Sequence, residues 1–353
     1  MPQRSGFNRN NLVFFVFSSM RLSIFLCSTI LFMQWGCTNQ PKDPVLLIPS
    51  VKLEVQRFDS AFFGMDTLQI QKSIQTLYKQ YPVYAPVFFD KIIMLDPNKE
   101  QKSISTFYKA YFPIFKEVQK VNAPQKVQTD LEQAFTRFHY YFPEYKLPSR
   151  VIYFIGPLES YSNILIDSAV CVGLQMHLGA SASWYYSEQI QTIYPPYISR
   201  RFEPQNITVA TIQNLLEDFS PTKTVGKNLL TQMIEVGKKQ FVLEQILPHL
   251  ADTTIWGYAK TQLNALSSQE SQIWDYLLQQ KMLYSVAAID SRDIMQTATS
   301  NSLFGEEIPG DVGRYMGYKI VLQWWRKNGA TSSLLKLLSI PAEELFSEAS
   351  YKP

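Results

Sequence analysis

Histidine, cysteine and glycine are scarce in this chain, at three, three and 14 residues of 353, and their scarcity narrows the chemistry available. His139, His177 and His249 lie far apart, and none has a second histidine three or four positions away. A His-Glu-x-x-His helix, which sets two imidazoles and a general base on one face, is therefore absent. The Gly-x-Ser-x-Gly elbow, the P-loop, the dinucleotide glycine fingerprint and Cys-x-x-Cys are missing too, which removes the common hydrolase, nucleotide and thiol-redox signatures. The sequence thus points to no catalytic residue, no metal ligand set and no cofactor. Cys27 lies inside the N-terminal apolar run and Cys37 closes it, leaving Cys171 alone. No internal disulfide can form, so stability has to come from a packed core.

Charge of one sign is also lacking. The chain has 33 basic and 30 acidic residues, and the first 36 positions hold Arg4, Arg9 and Arg21 with no acid. Positions 37–353 therefore carry 30 of each, with no basic field or arm of the kind that phosphate-backbone binding requires, which excludes nucleic acid as a partner. Long apolar runs are limited to Leu22–Trp35, whose 14 residues fall short of the roughly 20 that span a bilayer.

That short run is the most informative feature present. It comes directly after Arg21, is free of charge, and ends at Gly36-Cys37, the layout of a bacterial lipoprotein signal cut before a cysteine that then carries the lipid. Leucine is usual three residues before such a cysteine, and Gln34 stands there; an uncleaved N-terminal anchor is the competing reading. Met20 is an alternative start to Met1. We expect a signal peptide over 1–36, a lipid-anchored linker over 37–50 kept extended by Pro41, Pro44 and Pro49, and a globular domain over 51–353. Acyl chains on Cys37 contribute about 0.8 kcal/mol per buried methylene, enough in combination to hold the body on a membrane. Thr38-Asn39-Gln40 offers no acidic export run, which places the body facing the periplasm of a cell envelope.

Hydrophobic spacing predicts an α+β fold, mainly helical, with a small sheet in a single domain. Val51, Leu53 and Val55 alternate as a strand, as do Val151, Tyr153 and Ile155. A third strand runs Val170, Val172, Leu174, Met176 and Leu178 on one face, with Cys171, Gln175 and His177 on the other, to Gly179; His177 reads as a structural histidine. Helices are expected where Ile70, Ile74, Leu77, Tyr78 and Tyr81 share a face before Pro82. The same holds where Leu131, Phe135, Phe138 and Phe142 repeat before Pro143. Ser267 and Glu270 have capping-box spacing before Ile273 and Leu277. Ile320, Val321 and Trp324 mark a late helix that stops at Asn328-Gly329, with Trp325 turned another way. Glu217-Asp218 reads as a solvated helix end.

Five blocks carry a family resemblance. Ile152–Gly156 (IYFIG), Val172–Gly179 (VGLQMHLG) and Tyr194–Phe202 (YPPYISRRF) are similar to the central part of the gliding motility lipoprotein GldB family. Leu230–Lys238 (LTQMIEVGK), with Ile273-Trp274 beyond it, resembles its mid-chain helices. Pro309–Val321, with Pro309, Gly310, Gly313, Arg314 and Gly317, resembles its late motif, and the chain ends on a family-like Ser350–Pro353. Gln175 and Asp311 depart from the acidic and basic residues expected at those places. The resemblance implies a zincin-like fold, distantly related to predicted zinc peptidases whose zinc helix would correspond here to Ile207–Phe219. That stretch has no histidine, and Glu235, at the place of a third ligand, cannot hold zinc alone.

The resemblance therefore implies a non-catalytic envelope lipoprotein that acts with protein partners of the gliding machinery and its associated secretion system. The alternative is an envelope hydrolase or peptidase of zincin-like fold with an unrecognised active site. Tyr194, Tyr197, Arg200, Arg201 and Phe202 combine aromatic rings with arginines, the composition of interface anchors, and are the expected partner-binding segment.

Overall fold

The computed structural model describes residues 48–96 and 100–353, and residues 48–353 form one compact unit. Cys37 and the signal segment lie outside the described residues. The fold is α+β, mostly helical, around one four-stranded sheet. β1 is Glu54–Arg57, β2 Arg150–Phe154, β3 Asn163–Ile166 and β4 Ala169–Gly173, in the spatial order β1-β2-β4-β3. β1, β2 and β4 are parallel, with Val55 opposite Val151 and Val151 opposite Val170; β3 returns antiparallel on β4, Ile164 opposite Cys171. β2 and β4 are buried almost throughout, which suits their continuous apolar runs to the two central positions.

A parallel β1–β2 pair needs a long crossover, and four helices supply it together with the short helical turns Tyr84–Pro86 and Val87–Ile92. The four helices are α1 Phe58–Phe63, α2 Ile70–Gln80, α3 Glu100–Val121 and α4 Ala123–Tyr141. α2 buries Ile70, Ile74 and Leu77 and stops at Tyr81, which leaves the helical region because Pro82 comes next. α4 buries Leu131, Phe135 and Phe138, and Phe142 packs just past its end. Phe58, Phe62, Tyr84 and Phe88 form an aromatic cluster that reaches the sheet through Phe154, 5.7 Å between ring centres from Tyr84. Beyond the sheet come α5 Asn206–Phe219, α6 Leu229–Ile246, α7 Asp252–Trp256, α8 Lys260–Ser268, α9 Glu270–Gln279, α10 Val312–Asn328 and α11 Ala342–Ala349. α6 and α10 form the most extensive helix pair, and α5 lies against β3 and α4.

Three expected elements are corrected. The first strand is Glu54–Arg57, not Val51–Val55, because Val51 N–H donates to Thr136 Oγ1 (2.9 Å) and Leu53 N–H to Glu132 Oε1 (3.4 Å) on α4, leaving only the later residues to pair with β2. The strand expected to reach Leu178 ends at Gly173, and Leu174–Met176 coil into a 3₁₀ turn. Gln175 is fully buried there: Oε1 accepts from Gly156 N–H (3.0 Å) and Nε2 donates to Tyr161 O (3.2 Å). An ionised carboxylate only accepts, so an amide rather than the expected acid suits this place. Ser267 belongs to α8 and caps nothing in α9; Glu270 instead accepts from Tyr351 (2.7 Å) and pairs with Lys319 (2.9 Å). β3 had no counterpart in the sequence reading, since Ile164, Leu165 and Ile166 form a half-buried edge without alternation.

Candidate functional site

The blocks around His177, Arg200 and Asp311 are far apart in sequence and meet in one region beside the N-terminal end of α5. After Pro195 the chain makes a single helical turn, Pro196–Ser199, and the N–H groups of Arg200, Arg201 and Phe202 continue to donate back into it. Phe202 is thereby turned inward, edge-on to Tyr185 (4.9 Å) and Tyr194 (5.3 Å), and is buried. Gly179, at φ +99°, donates its N–H to Phe202 O (2.9 Å), and Glu203 Oε1 accepts from Ala180 N–H (2.8 Å). These bonds stitch the His177 segment to the arginines. His177 itself is only 4% exposed, with Nδ1 3.3 Å from the Glu203 carbonyl oxygen, and burial holds its pKa down at about 4.

α10 closes the region from the other side. Asp311 stands at its N-cap position but does not cap; its carboxylate accepts from the Tyr258 hydroxyl and pairs with Arg314 Nε (3.1 Å). Arg314 Nη2 donates to Trp256 O (2.9 Å), and the guanidinium lies over the Trp256 and Tyr258 rings at 5.1 and 4.8 Å. Burial raises the Tyr258 hydroxyl pKa well above its ordinary value, with the Asp311 charge adding to it. The aspartate that replaces the expected basic residue is thus the counter-ion of Arg314.

Gly257 ends α7 at φ +66°, a conformation that favours glycine, and it has a second constraint. A Cβ there would lie 2.3 Å from Arg201 Nε and 2.8 Å from its Cζ, so the Arg201 guanidinium packs directly against this backbone. Arg200 Nη1 donates to Gln262 Oε1 (2.9 Å), which also accepts from Ala259 N–H (3.1 Å). Burial, with Arg314 close by, lowers the Arg201 pKa. Two cavities of about 140 and 220 Å³ adjoin these residues and share Arg201, Asn206, Thr254 and Gly257 in their walls.

Of the remaining family-motif residues, Pro309, Gly310, Gly313 and Gly317 are buried packing positions; Gly310 lies against Ala298 and Gly313 against Met295. Tyr197 is half-buried on the short turn. A larger groove of about 690 Å³ runs between α6 and the segment Leu338–Glu343, but its buried Lys238 is already bonded to Glu235 (2.6 Å) and Ile340 O (2.6 Å).

The chain belongs to the gliding motility protein GldB family. That family's model matches residues 39–353, nearly the whole chain. No curated protein and no solved structure matches it. The GldB family places the protein with gliding motility and at the cell envelope; among the described residues no helix is long and apolar enough to cross a membrane.

The residues present do not fit the zinc site that a zincin relationship implies. α5, the helix that the resemblance sets against the zinc helix, buries Ile207, Thr208, Thr211, Ile212 and Leu215, and Thr211 Oγ1 accepts from Asn163 Nδ2 (3.2 Å). Its acids stand at the far end, Glu217 holding Thr222 and Asp218 accepting from Tyr145 (2.6 Å), while Glu235 is bound to Lys238. Among the described residues no three His, Cys, Asp or Glu side chains gather as a metal site. The sequence reading missed Tyr258, Gly257 and Trp256, which carry no motif and gain their role only by packing on Arg201 and Arg314.

Proposed function

We propose that this GldB-family chain is a non-catalytic, lipid-anchored envelope protein acting with the gliding machinery and its associated secretion system. Cys37 holds it to the membrane and the body faces the periplasm. The observation that carries this reading is the family match over residues 39–353, which starts just past Cys37 and takes in the whole compact body. The fold is read as a distant zincin relative whose zinc helix, α5, has been given over to packing. Its interior threonines and aliphatic side chains supply neither metal ligands nor a base, and this supports a binding role over a hydrolytic one. Partner contact is assigned to the Tyr194–Phe202 turn, where Tyr197 and Arg200 stand at the rim and Tyr194, Arg201 and Phe202 fix the turn from below.

Metabolic labelling with palmitate tests the anchor. Wild type incorporates label and is processed, whereas Cys37→Ser accumulates as an unlabelled precursor. Equal labelling of the two removes lipid attachment at Cys37.

A further inference from the structure

Arg201 and His177 line the same cavity, and each carries buried polar atoms that no protein group satisfies. The Nε and Nη2 groups of Arg201 are buried and have no hydrogen-bond partner in the protein. Together they form one edge of the guanidinium, whose two parallel N–H bonds match the two oxygens of a carboxylate. His177 Nε2 is buried and unpartnered as well. The Glu203 carbonyl beside Nδ1 can only accept, so the ring proton sits on Nδ1 and Nε2 keeps a bare lone pair. Fork and lone pair therefore ask for different things: an anion, and a hydrogen-bond donor.

The charge around the fork is unbalanced. Arg201 interacts with Arg200, Arg314, Asp311 and Tyr258, which makes three guanidinium groups against one carboxylate. Glu203 stands in the wall of the cavity of about 220 Å³ with its carboxylate accepting from Ala180 N–H, and counting it still leaves positive charge in excess. Water can satisfy a buried N–H but does not neutralise a buried cation, whereas a bound anion does both.

The space suits an organic anion. The smaller cavity, lined by both Arg201 and His177, holds about 140 Å³, roughly ten times the ~10–15 Å³ that one water occupies. Its other walls include Ile198, Val209, Ile255 and Trp256, and it shares Arg201 and Gly257 with the larger cavity. Hydrogen phosphate could also donate to the His177 lone pair, but the aliphatic and indole walls suit an anion that carries an apolar side chain. An amino-acid carboxylate carries an N–H one carbon away.

We propose that this pocket binds the carboxylate of an N-acylated amino acid, the group found at a peptide C-terminus. Arg201 Nε and Nη2 grip the two oxygens, Arg200 adds charge from the neighbouring cavity, and His177 Nε2 accepts from the adjoining N–H. The assignment goes beyond family membership and is independent of whether the chain acts in gliding.

Calorimetric titration of the full-length, detergent-solubilised protein tests it with three probes: N-acetyl-alanine, its carboxamide, and inorganic phosphate. N-acetyl-alanine should bind saturably, and affinity should fall roughly tenfold or more for the carboxamide and in Arg201→Gln. If Arg201→Gln does not fold, the carboxamide comparison on wild type decides alone. Equal binding of acid and amide, tighter binding of phosphate, or no saturable uptake of N-acetyl-alanine in the millimolar range overturns the proposal.

Discussion

Gly237 of α6 and Gly317 of α10 meet backbone to backbone: a Cβ on Gly237 would lie 2.2 Å from Gly317 C, and one on Gly317 would lie 1.7 Å from Met233 O. Glycine inside a helix costs roughly 0.5–1 kcal/mol relative to alanine, so its use in both helices at the same crossing calls for a packing reason. The reason is the close approach itself. Because backbone rather than a flexible side chain stands in the way, Gly317→Ala should destabilise by about 3 kcal/mol, at the upper end of overpacking, and Gly317→Val by more. Urea unfolding measures this. A loss under about 0.5 kcal/mol for the alanine variant, the size of an ordinary surface change, would mean that the helices are not in this contact.

Trp324 is fully buried and donates Nε1–H to Glu348 Oε2 (2.6 Å), while its neighbour Trp325 is only half-buried against Phe241. Trp324→Ala should cost about 3–5 kcal/mol and Trp325→Ala distinctly less. Thermal melts of both variants give the ranking, and the reverse order would show that the helix face had been misassigned.

His177 makes stability depend on pH. Its folded pKa of about 4 lies below the ordinary 6.5, so between those values the unfolded chain binds a proton that the folded chain does not. Its contribution is complete above about 6.5 and is lost as pH falls towards 4, amounting to about 3 kcal/mol. Denaturant unfolding at a series of pH values should show a shallower acid slope for His177→Gln than for wild type. Parallel slopes would place the imidazole in contact with solvent.

Metal removal gives a further prediction. With α5 devoid of histidine, its Glu217 and Asp218 bound to Thr222 and Tyr145, and Glu235 held by Lys238, purified protein should contain no stoichiometric zinc, and chelation should leave its melting temperature unchanged. Elemental analysis showing one tightly held zinc per chain would restore the peptidase reading.

The sequence disclosed what depends on local spacing. The inward faces of α2 and α4, the stop at Tyr81 before Pro82, and the burial of Trp324 follow from periodicity and from proline stereochemistry. Where a distant partner decides, spacing misleads. Alternation from Val170 to Leu178 looked like one strand, yet the amide of Gln175 binds Gly156 and Tyr161 and coils the chain after Gly173. Ser267 and Glu270 have the interval of a capping box, but Glu270 is taken by Tyr351 and Lys319. The candidate site was half legible. Arg200, Arg201 and Arg314 stood out as residues, while their convergence with Gly257, Tyr258 and His177 is a property of the tertiary fold alone.

Deletion and re-expression in the organism that encodes this chain tests the central claim most directly, with cell spreading and secreted protein as readouts. The account predicts that loss of the gene impairs gliding or the linked secretion, that the wild-type chain restores it, and that Cys37→Ser at equal abundance does not. Undiminished spreading and secretion in the deletion strain, or full restoration by Cys37→Ser, would contradict a lipid-anchored role in that machinery.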